Sequence, residues 1–178
     1  MPRQLLNIIF FILAGISINA CAENKKAEPM IYLLPYGYVG TFFIITDIPT
    51  GSPVEYEGKS RVYRIPANGV LLTRFSFNRG WYKSTDVEFY FLNKDGSRTL
   101  IPHRWFGSLP DTTENKNDKE IYIFPGGTGT LGLGHRSADH HCKITFVKYA
   151  VATKPQVIKG IKEINLDEFF SRPPFPCQ

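Results

Sequence analysis

The residues best suited to chemistry lie in one short run in the last third of the 178-residue chain. Three of the four histidines, an aspartate and a cysteine occur there, and these types bind transition metals. The candidate ligands are His135, Asp139, His140 and His141. Structural zinc sites draw ligand pairs from two separated segments, and the only histidine elsewhere is the distant His103. A polar loop leading into a strand is therefore favoured over a metal site, and no cofactor is predicted.

A glycine-rich stretch, Gly126–Gly134, precedes this run and contains a formal G-x-G-x-x-G pattern. The pattern binds dinucleotides only between the strand and helix of a βαβ unit, and no helix is predicted after it. We therefore predict a mobile surface loop here. Because the chain also has no G-x-S-x-G nucleophile elbow and no evident pair of acid and base carboxylates, we predict that it is not an enzyme.

Two aromatic pairs, Trp81-Tyr82 and Trp105-Phe106, stand beside clusters of turn residues. Aromatic side chains in such positions are typical anchors for a protein partner, so these four are the candidate partner-binding residues. The 21 Lys and Arg against 16 Asp and Glu give a net charge of +5, but they are scattered along the sequence. Nucleic-acid binding needs a clustered basic face and is not predicted.

The first twenty residues form an export signal. One basic residue, Arg3, precedes a mostly apolar run over residues 5–18, which is shorter than a membrane-spanning helix. The run ends in Ile18-Asn19-Ala20-Cys21, which resembles the lipobox of bacterial lipoproteins and implies a lipid on Cys21. Asn19 departs from that motif, and a simple signal peptide is the alternative. Because Ala22 rather than Asp follows the cysteine, the resemblance implies the outer membrane, facing the periplasm, in a Gram-negative host.

Three cysteines are an odd number for an exported chain. A lipid on Cys21 leaves Cys142 and Cys177, which we expect to form a disulfide in an oxidising compartment, with two free thiols as the alternative. The domains that follow from these patterns are a signal peptide (1–20), a lipidated cysteine with a flexible tether (21–29) and one folded domain (30–178).

Short runs rich in β-branched and aromatic residues recur between turn signals from Met30 onward. We expect strands at Met30–Leu34, Thr41–Thr46, Arg61–Ile65, Val70–Phe77, Val87–Asn93, Arg98–Pro102, Glu120–Phe124 and Lys143–Val151. Alternation of apolar and polar residues in Arg61–Ile65 and Thr73–Phe77 predicts one buried face for these strands, and the turn residues between the runs are typical of antiparallel hairpins. The prediction is an all-β, antiparallel β-sandwich of about seven to nine strands. Asn165, with Glu168 three residues later, predicts one short C-terminal helix.

Residues 30–102 resemble an uncharacterised family of small bacterial exported lipoproteins. The resemblance rests on Tyr32–Gly40 (YLLPYGYVG), Glu55–Gly58 (EYEG) and Arg61–Leu71 (RVYRIPANGVL). The order of strands and turns is also similar to that of prealbumin-like sandwiches. Neither resemblance implies catalytic residues.

These observations predict a lipid-anchored protein of the cell envelope that binds another protein without catalysis. One specific form is an immunity or inhibitor protein against a secreted toxin. An envelope assembly lipoprotein and a metal-binding protein using the histidine run are the alternatives.

Overall fold

Two β-sheets face each other across an aromatic core in the computed structural model, which describes residues 25–103, 119–133, 142–161 and 163–171. Within these ranges the strands are β1 (Met30–Pro35), β2 (Gly40–Thr46), β3 (Tyr56–Glu57), β4 (Ser60–Arg64), β5 (Val70–Leu72), β6 (Val87–Leu92), β7 (Arg98–Leu100), β8 (Ile121–Leu133) and β9 (Cys142–Thr153). A single 3-10 turn covers Ser84–Asp86, and two short helices are α1 (Lys154–Lys159) and α2 (Leu166–Phe169).

The first sheet has the strand order β3-β4-β1-β6-β7 and the second β5-β2-β9-β8. The prediction of an all-β sandwich with a short C-terminal helix is confirmed. The sheets are mixed, however, and not wholly antiparallel as expected. β1 pairs in parallel with both β4 and β6, and β2 pairs in parallel with β5.

The parallel pairs arise because two turns each join a strand of one sheet to a strand of the other. The turn after Pro35 leads from β1 to β2, and the Pro66–Gly69 turn leads from β4 to β5, so each crosses from the first sheet to the second. Both turns occur where Pro and Gly predict them. Because each joins strands of different sheets, the chain returns to the first sheet in its original direction, and β4 lies parallel to β1.

The core between the sheets comes from alternate residues of the central strands. Tyr32 and Leu34 of β1 face Phe42 and Ile44 of β2, and all four are nearly inaccessible. The Tyr32 ring stacks on Tyr63 and Phe89, its partners on the two parallel neighbours, at centroid distances of 5.0 and 4.6 Å. The outward residues Phe43 and Ile45 are also buried, because Leu166 and Phe170 of the C-terminal segment pack on that face.

The glycine-rich stretch is not the predicted loop. Residues from Gly126 to Leu133 continue strand β8, with one irregularity between Pro125 and Gly127, and pair with β9. Gly129 lies opposite Phe146, and a Cβ there would come within 2.5 Å of that ring. Glycine thus allows an aromatic side chain to lie over its backbone, and the cross-strand ring supplies the packing that glycine lacks.

Two further differences lie at the ends of the folded body. Residues Lys25–Pro29, expected in the flexible tether, are packed against the body, and Ala27 is buried. Helix α1 was not predicted, although Thr153 and Gln156 form a capping box at its start. In α2 the Asn165 side chain accepts hydrogen bonds from the N–H groups of Asp167 and Glu168, as its sequence predicts. None of the helices within the described ranges has the length and apolar character needed to cross a membrane.

Candidate functional site

The predicted partner-binding residues Trp81 and Tyr82 are both exposed, by 49% and 36% of their surface. The remaining site predictions fall outside the described residues: Cys21, Trp105, Phe106, His135, Asp139, His140, His141, Cys177 and the side chain of Cys142. Lipidation, the disulfide and the metal site therefore stay predictions. Among the residues that the structure does describe, no cluster of three His, Cys, Asp or Glu could hold a metal ion.

Trp81 lies where the N-terminal segment joins the body. Its N–H donates to the carbonyl of Lys25 (3.2 Å), and its carbonyl accepts from the N–H of Ala27 (2.9 Å). Gly80 makes this approach possible, since a Cβ at its φ of +124° would lie 2.1 Å from the Lys25 carbonyl oxygen. The segment is held further by Glu28, which bonds Asn78 through its backbone and the Arg61 guanidinium through its carboxylate.

The surface around Trp81 is rich in basic residues. Lys26 Nζ lies 5.7 Å from the ring centroid and 3.2 Å from a carboxylate oxygen of Asp86. Exposed Lys25, Arg79 and Lys83 belong to the same surface and make no salt bridge within the described part of the chain. We call Lys25, Lys26, Arg79, Trp81, Tyr82 and Lys83 the basic end of the sandwich.

Two carboxylates moderate the charge of the basic end. A hydrogen bond from the Lys83 N–H and the ion pair with Lys26 lower the pKa of Asp86, which is thus ionised at neutral pH. Asp47 accepts a hydrogen bond from the Phe77 N–H (3.3 Å) and lines a polar recess of about 340 Å³ beside Lys25, Lys26, Arg61 and Arg79. Cations still outnumber anions here, so the surface is net positive.

A small apolar cavity opens between the sheets beneath Tyr82. Two lobes of about 90 and 60 Å³ share Tyr82, Thr128, Val147 and Tyr149 in their walls. Tyr82 therefore contributes to the inter-sheet interior as well as to the surface. His103 and Phe89 line the larger lobe, with ring centroids 5.9 Å apart.

Two tyrosines and the histidine of this interior are held in their neutral forms. Burial, the charge of neighbouring Tyr149 and Tyr63, and a hydrogen bond with Tyr149 raise the pKa of Tyr32 well above its usual value. Burial also raises the pKa of Tyr149 and lowers the pKa of His103. The neutral forms of the phenols and the imidazole avoid placing a charge in this apolar interior.

A second, larger groove of about 630 Å³ lies at the other end of the sandwich. Its walls include the Tyr38–Thr41 segment, Asn68 and the C-terminal residues Glu163, Ile164, Asn165, Glu168 and Phe169. Val39 and Phe169 are exposed there, by 46% and 42%. Gly69 packs closely against two of these wall residues, because a Cβ there would lie 2.3 Å from the Tyr38 hydroxyl and 2.6 Å from the Ile164 side chain. We call this site the distal groove.

The distal groove and the basic end are at opposite ends of β1. Met30, which starts β1, pairs with Arg61 and Val87 near the basic end. Pro35, which ends β1, leads into the Tyr36–Val39 turn at the distal groove. Six extended residues separate these ends by about 17 Å.

A family model covers the sheets and all of the basic end except Lys25, but not all of the distal groove. The model of DUF6843, a family of unknown function, matches residues 26–155, well over half of the chain. The chain belongs to the DUF6843 family. No curated protein matches it. A crystal structure of a "Putative Lipoprotein from Bacillus anthracis" is similar over 70% of this chain and 69% of that chain, with 20% identity and a TM-score of 0.49.

The DUF6843 match begins at Lys26, inside the docked N-terminal segment. It contains Glu28, Asn78, Gly80 and Trp81, so the docking of this segment belongs to the family's domain. The match ends at Pro155, in α1, before the C-terminal wall of the distal groove.

Two features of these sites escaped sequence analysis. The docking of residues 25–28 depends on Asn78 and Gly80, which appear in the sequence only as turn residues. The inter-sheet cavity brings together Tyr82, His103 and Tyr149, which are far apart in sequence and share no motif. Both depend on contacts between residues far apart in the sequence, which a linear pattern does not contain.

Proposed function

We propose that this DUF6843 protein is a cell-envelope protein, anchored by a lipid on Cys21, whose folded body binds a protein partner without catalysing a reaction. The apolar leader and the Ile18–Cys21 motif support the anchor. In a Gram-negative host, Ala22 favours the outer membrane with the body in the periplasm.

The observation that carries the proposal is the position of the distal groove. The chain from Cys21 joins the body at the basic end, and the groove lies at the opposite end of β1. A body anchored in this way presents the groove away from its attachment point. Exposed Val39 and Phe169 offer apolar contact area there, and Glu163 and Glu168 provide a polar rim.

An immunity or inhibitor protein is a specific form of this role, in which the partner is a secreted toxin. Such a protein needs a surface and an anchor but no chemistry of its own. An envelope assembly lipoprotein would need the same features, and the identity of the partner separates the two.

The anchor is tested by metabolic labelling of the full chain with an alkyne fatty acid in the native host. We expect label on the wild-type protein and none on the Cys21→Ser variant, which should leave the membrane fraction. Equal labelling of the two proteins would contradict the anchor.

Partner binding is tested by cross-linking the full-length protein in cells. The Val39→Asp/Phe169→Asp double variant places charges in the distal groove, and Val54→Asp, at a residue 52% exposed elsewhere, is the control. We expect the double variant to capture at least about tenfold less of a stoichiometric partner, which corresponds to about 1.4 kcal/mol of binding free energy. Equal capture by the double variant and the control would contradict the groove. A secreted toxin as partner would establish the immunity role, and envelope machinery would establish the assembly role.

A further inference from the structure

We propose that the basic end is a membrane-docking surface that lies against anionic phospholipid headgroups and fixes the orientation of the body. This inference rests on the lipid anchor at Cys21 proposed above. It assigns Trp81 and Tyr82 to the lipid surface rather than to a protein partner.

The first argument is the length of chain between the anchor and the body. Four peptide units separate Cys21 from Lys25, where the docked segment begins. Even fully extended, they span at most about 14 Å. A diacylated cysteine lies at the membrane surface, so the backbone of Lys25 stays within that distance of the headgroups.

The second argument is that the attachment is rigid from Lys25 onward. The hydrogen bonds of Trp81 with Lys25 and Ala27, and the Asn78 and Arg61 contacts of Glu28, fix the segment on the body. A short connection from the lipid anchor to a fixed point on the body restricts which face of the body can contact the bilayer. The face around that point is the basic end.

The third argument is the chemistry of this face. Lys25, Arg79 and Lys83 are exposed cations, and each basic residue near an anionic membrane contributes about 1 kcal/mol, or roughly fivefold in the docking equilibrium. Trp and Tyr are the side chains enriched at the membrane–water interface, and Trp81 and Tyr82 are exposed among these cations. The anchor keeps the local lipid concentration high, so this weak affinity is enough to orient the body.

The anionic groups of the same face do not cancel the attraction. Asp86 is paired with Lys26, and Glu28 with Arg61. Asp47 lies in the recess beside Arg61 and Arg79. The distal groove, by contrast, carries Glu168, which an anionic surface would repel, and Glu163, which is paired with Lys148. The molecule therefore has the charge asymmetry that one preferred orientation requires.

The test uses the lipidated full-length protein in vesicles of phosphatidylcholine with or without phosphatidylglycerol. The chain has two tryptophans, so Trp105→Phe leaves Trp81 as the only indole probe. Tyr36, 69% exposed at the far end of β1, gives the matched probe when Tyr36→Trp is combined with Trp81→Phe and Trp105→Phe. Quenching by brominated lipids and the emission maximum are read for both proteins.

We expect Trp81 to be quenched and blue-shifted in vesicles with phosphatidylglycerol, and the probe at position 36 to be neither. The Lys25→Gln/Arg79→Gln/Lys83→Gln variant should lose the Trp81 shift while keeping its lipid and its membrane association. Equal quenching at both positions, or none at Trp81 in an anchored protein, overturns the inference and leaves the anchor standing. A chain that carries no lipid and stays in solution overturns both proposals. If lipid does not quench Trp81, and the Trp81→Phe variant fails to capture a protein that the wild type captures, this surface binds a protein partner instead.

Discussion

The carboxamide of Asn78 makes both of its hydrogen bonds to the backbone of one residue fifty positions earlier. Its Nδ2 donates to the Glu28 carbonyl oxygen (2.8 Å), and its Oδ1 accepts from the Glu28 N–H (3.0 Å). The Asn78 side chain thus makes the two hydrogen bonds to the Glu28 backbone that a neighbouring strand would make in a sheet. The N-terminal segment is therefore held by this pair as well as by its bridge to Trp81.

Asn78→Ala should release the segment over residues 25–28. Both backbone groups of Glu28 lose their partners, and because they are only part-buried, the cost of each is at most the roughly 1–3 kcal/mol of a fully buried unsatisfied group. We expect faster amide exchange at Ala27 and Glu28 and a lower midpoint in urea. Asn93→Ala is the control, since the Asn93 amide bonds only Ser97 and Thr99 of its own hairpin among the described residues. Unchanged exchange at Glu28 would contradict this role of Asn78.

Gly80→Ala should destabilise the protein more than Gly96→Ala. Both glycines have positive φ, +124° and +83°, so each substitution strains the backbone, by roughly 1–2 kcal/mol in a left-handed conformation. Only at Gly80 would the new Cβ also meet backbone, 2.1 Å from the Lys25 carbonyl oxygen, whereas Gly96 has open space. The difference in the free energy of unfolding between the two variants measures the close approach. Equal losses of unfolding free energy in the two variants would show that residues 25–28 can shift away from the new Cβ without cost.

His103 should make the protein less stable in mild acid. Burial lowers its pKa in the folded state below the value of about 6.5 expected when unfolded. The unfolded chain then binds the proton more readily, so stability is fully present above about pH 6.5 and falls as the pH drops through the lowered pKa. The difference in unfolding free energy between wild type and His103→Gln should shrink from about pH 8 to about pH 5. A difference that does not change with pH would contradict this assignment.

The tyrosine pair of the core should set the alkaline limit of stability. The pKa values of Tyr32 and Tyr149 are raised by burial, so above about pH 10 only the unfolded state ionises and the folded state loses stability. Tyr149→Phe should lower neutral stability by about 1 kcal/mol, through the lost hydrogen bond with Tyr32, yet flatten the alkaline decline. Tyr36→Phe, at an exposed position, should leave the curve unchanged. Parallel curves for wild type and Tyr149→Phe would contradict the pair's role.

Local patterns predicted most strands but not their partners. The alternation in Arg61–Ile65 and the apolar run at Met30–Leu34 mark strands β4 and β1, and Asn165 marks the start of α2. The predicted antiparallel pairing is wrong at β1, which pairs in parallel. The same Pro-Gly turn sequence can join neighbouring strands of one sheet or strands of the two facing sheets. Strand β8 was missed beyond Phe124, since its stability comes from β9 and from Phe146 over Gly129, not from its own residues.

In the candidate sites, too, local features were predictable from the sequence and long-range contacts were not. Exposure of Trp81 and Tyr82 was predictable from the turn residues beside them. The cations that share their surface are spread from Lys25 to Lys83, and only the docked N-terminal segment brings them together. The distal groove depends on the hydrogen bond from the Ile164 N–H to Thr41 Oγ1, across more than a hundred residues.

The parallel pairing of β1 bears on how an exported chain folds. β1 lies between β4 and β6, so its second edge stays open until residues 87–92 have been translocated. The pairing of β2 with β9 requires residues 145–151, which are translocated later still. Non-local pairings of this kind fold slowly, and the open edges of apolar β1 and β2 are prone to aggregate meanwhile. If the chain is exported N-terminus first, as proposed above, its most apolar strands cross before their partners, and β2 cannot complete its pairing until nearly the whole chain has crossed.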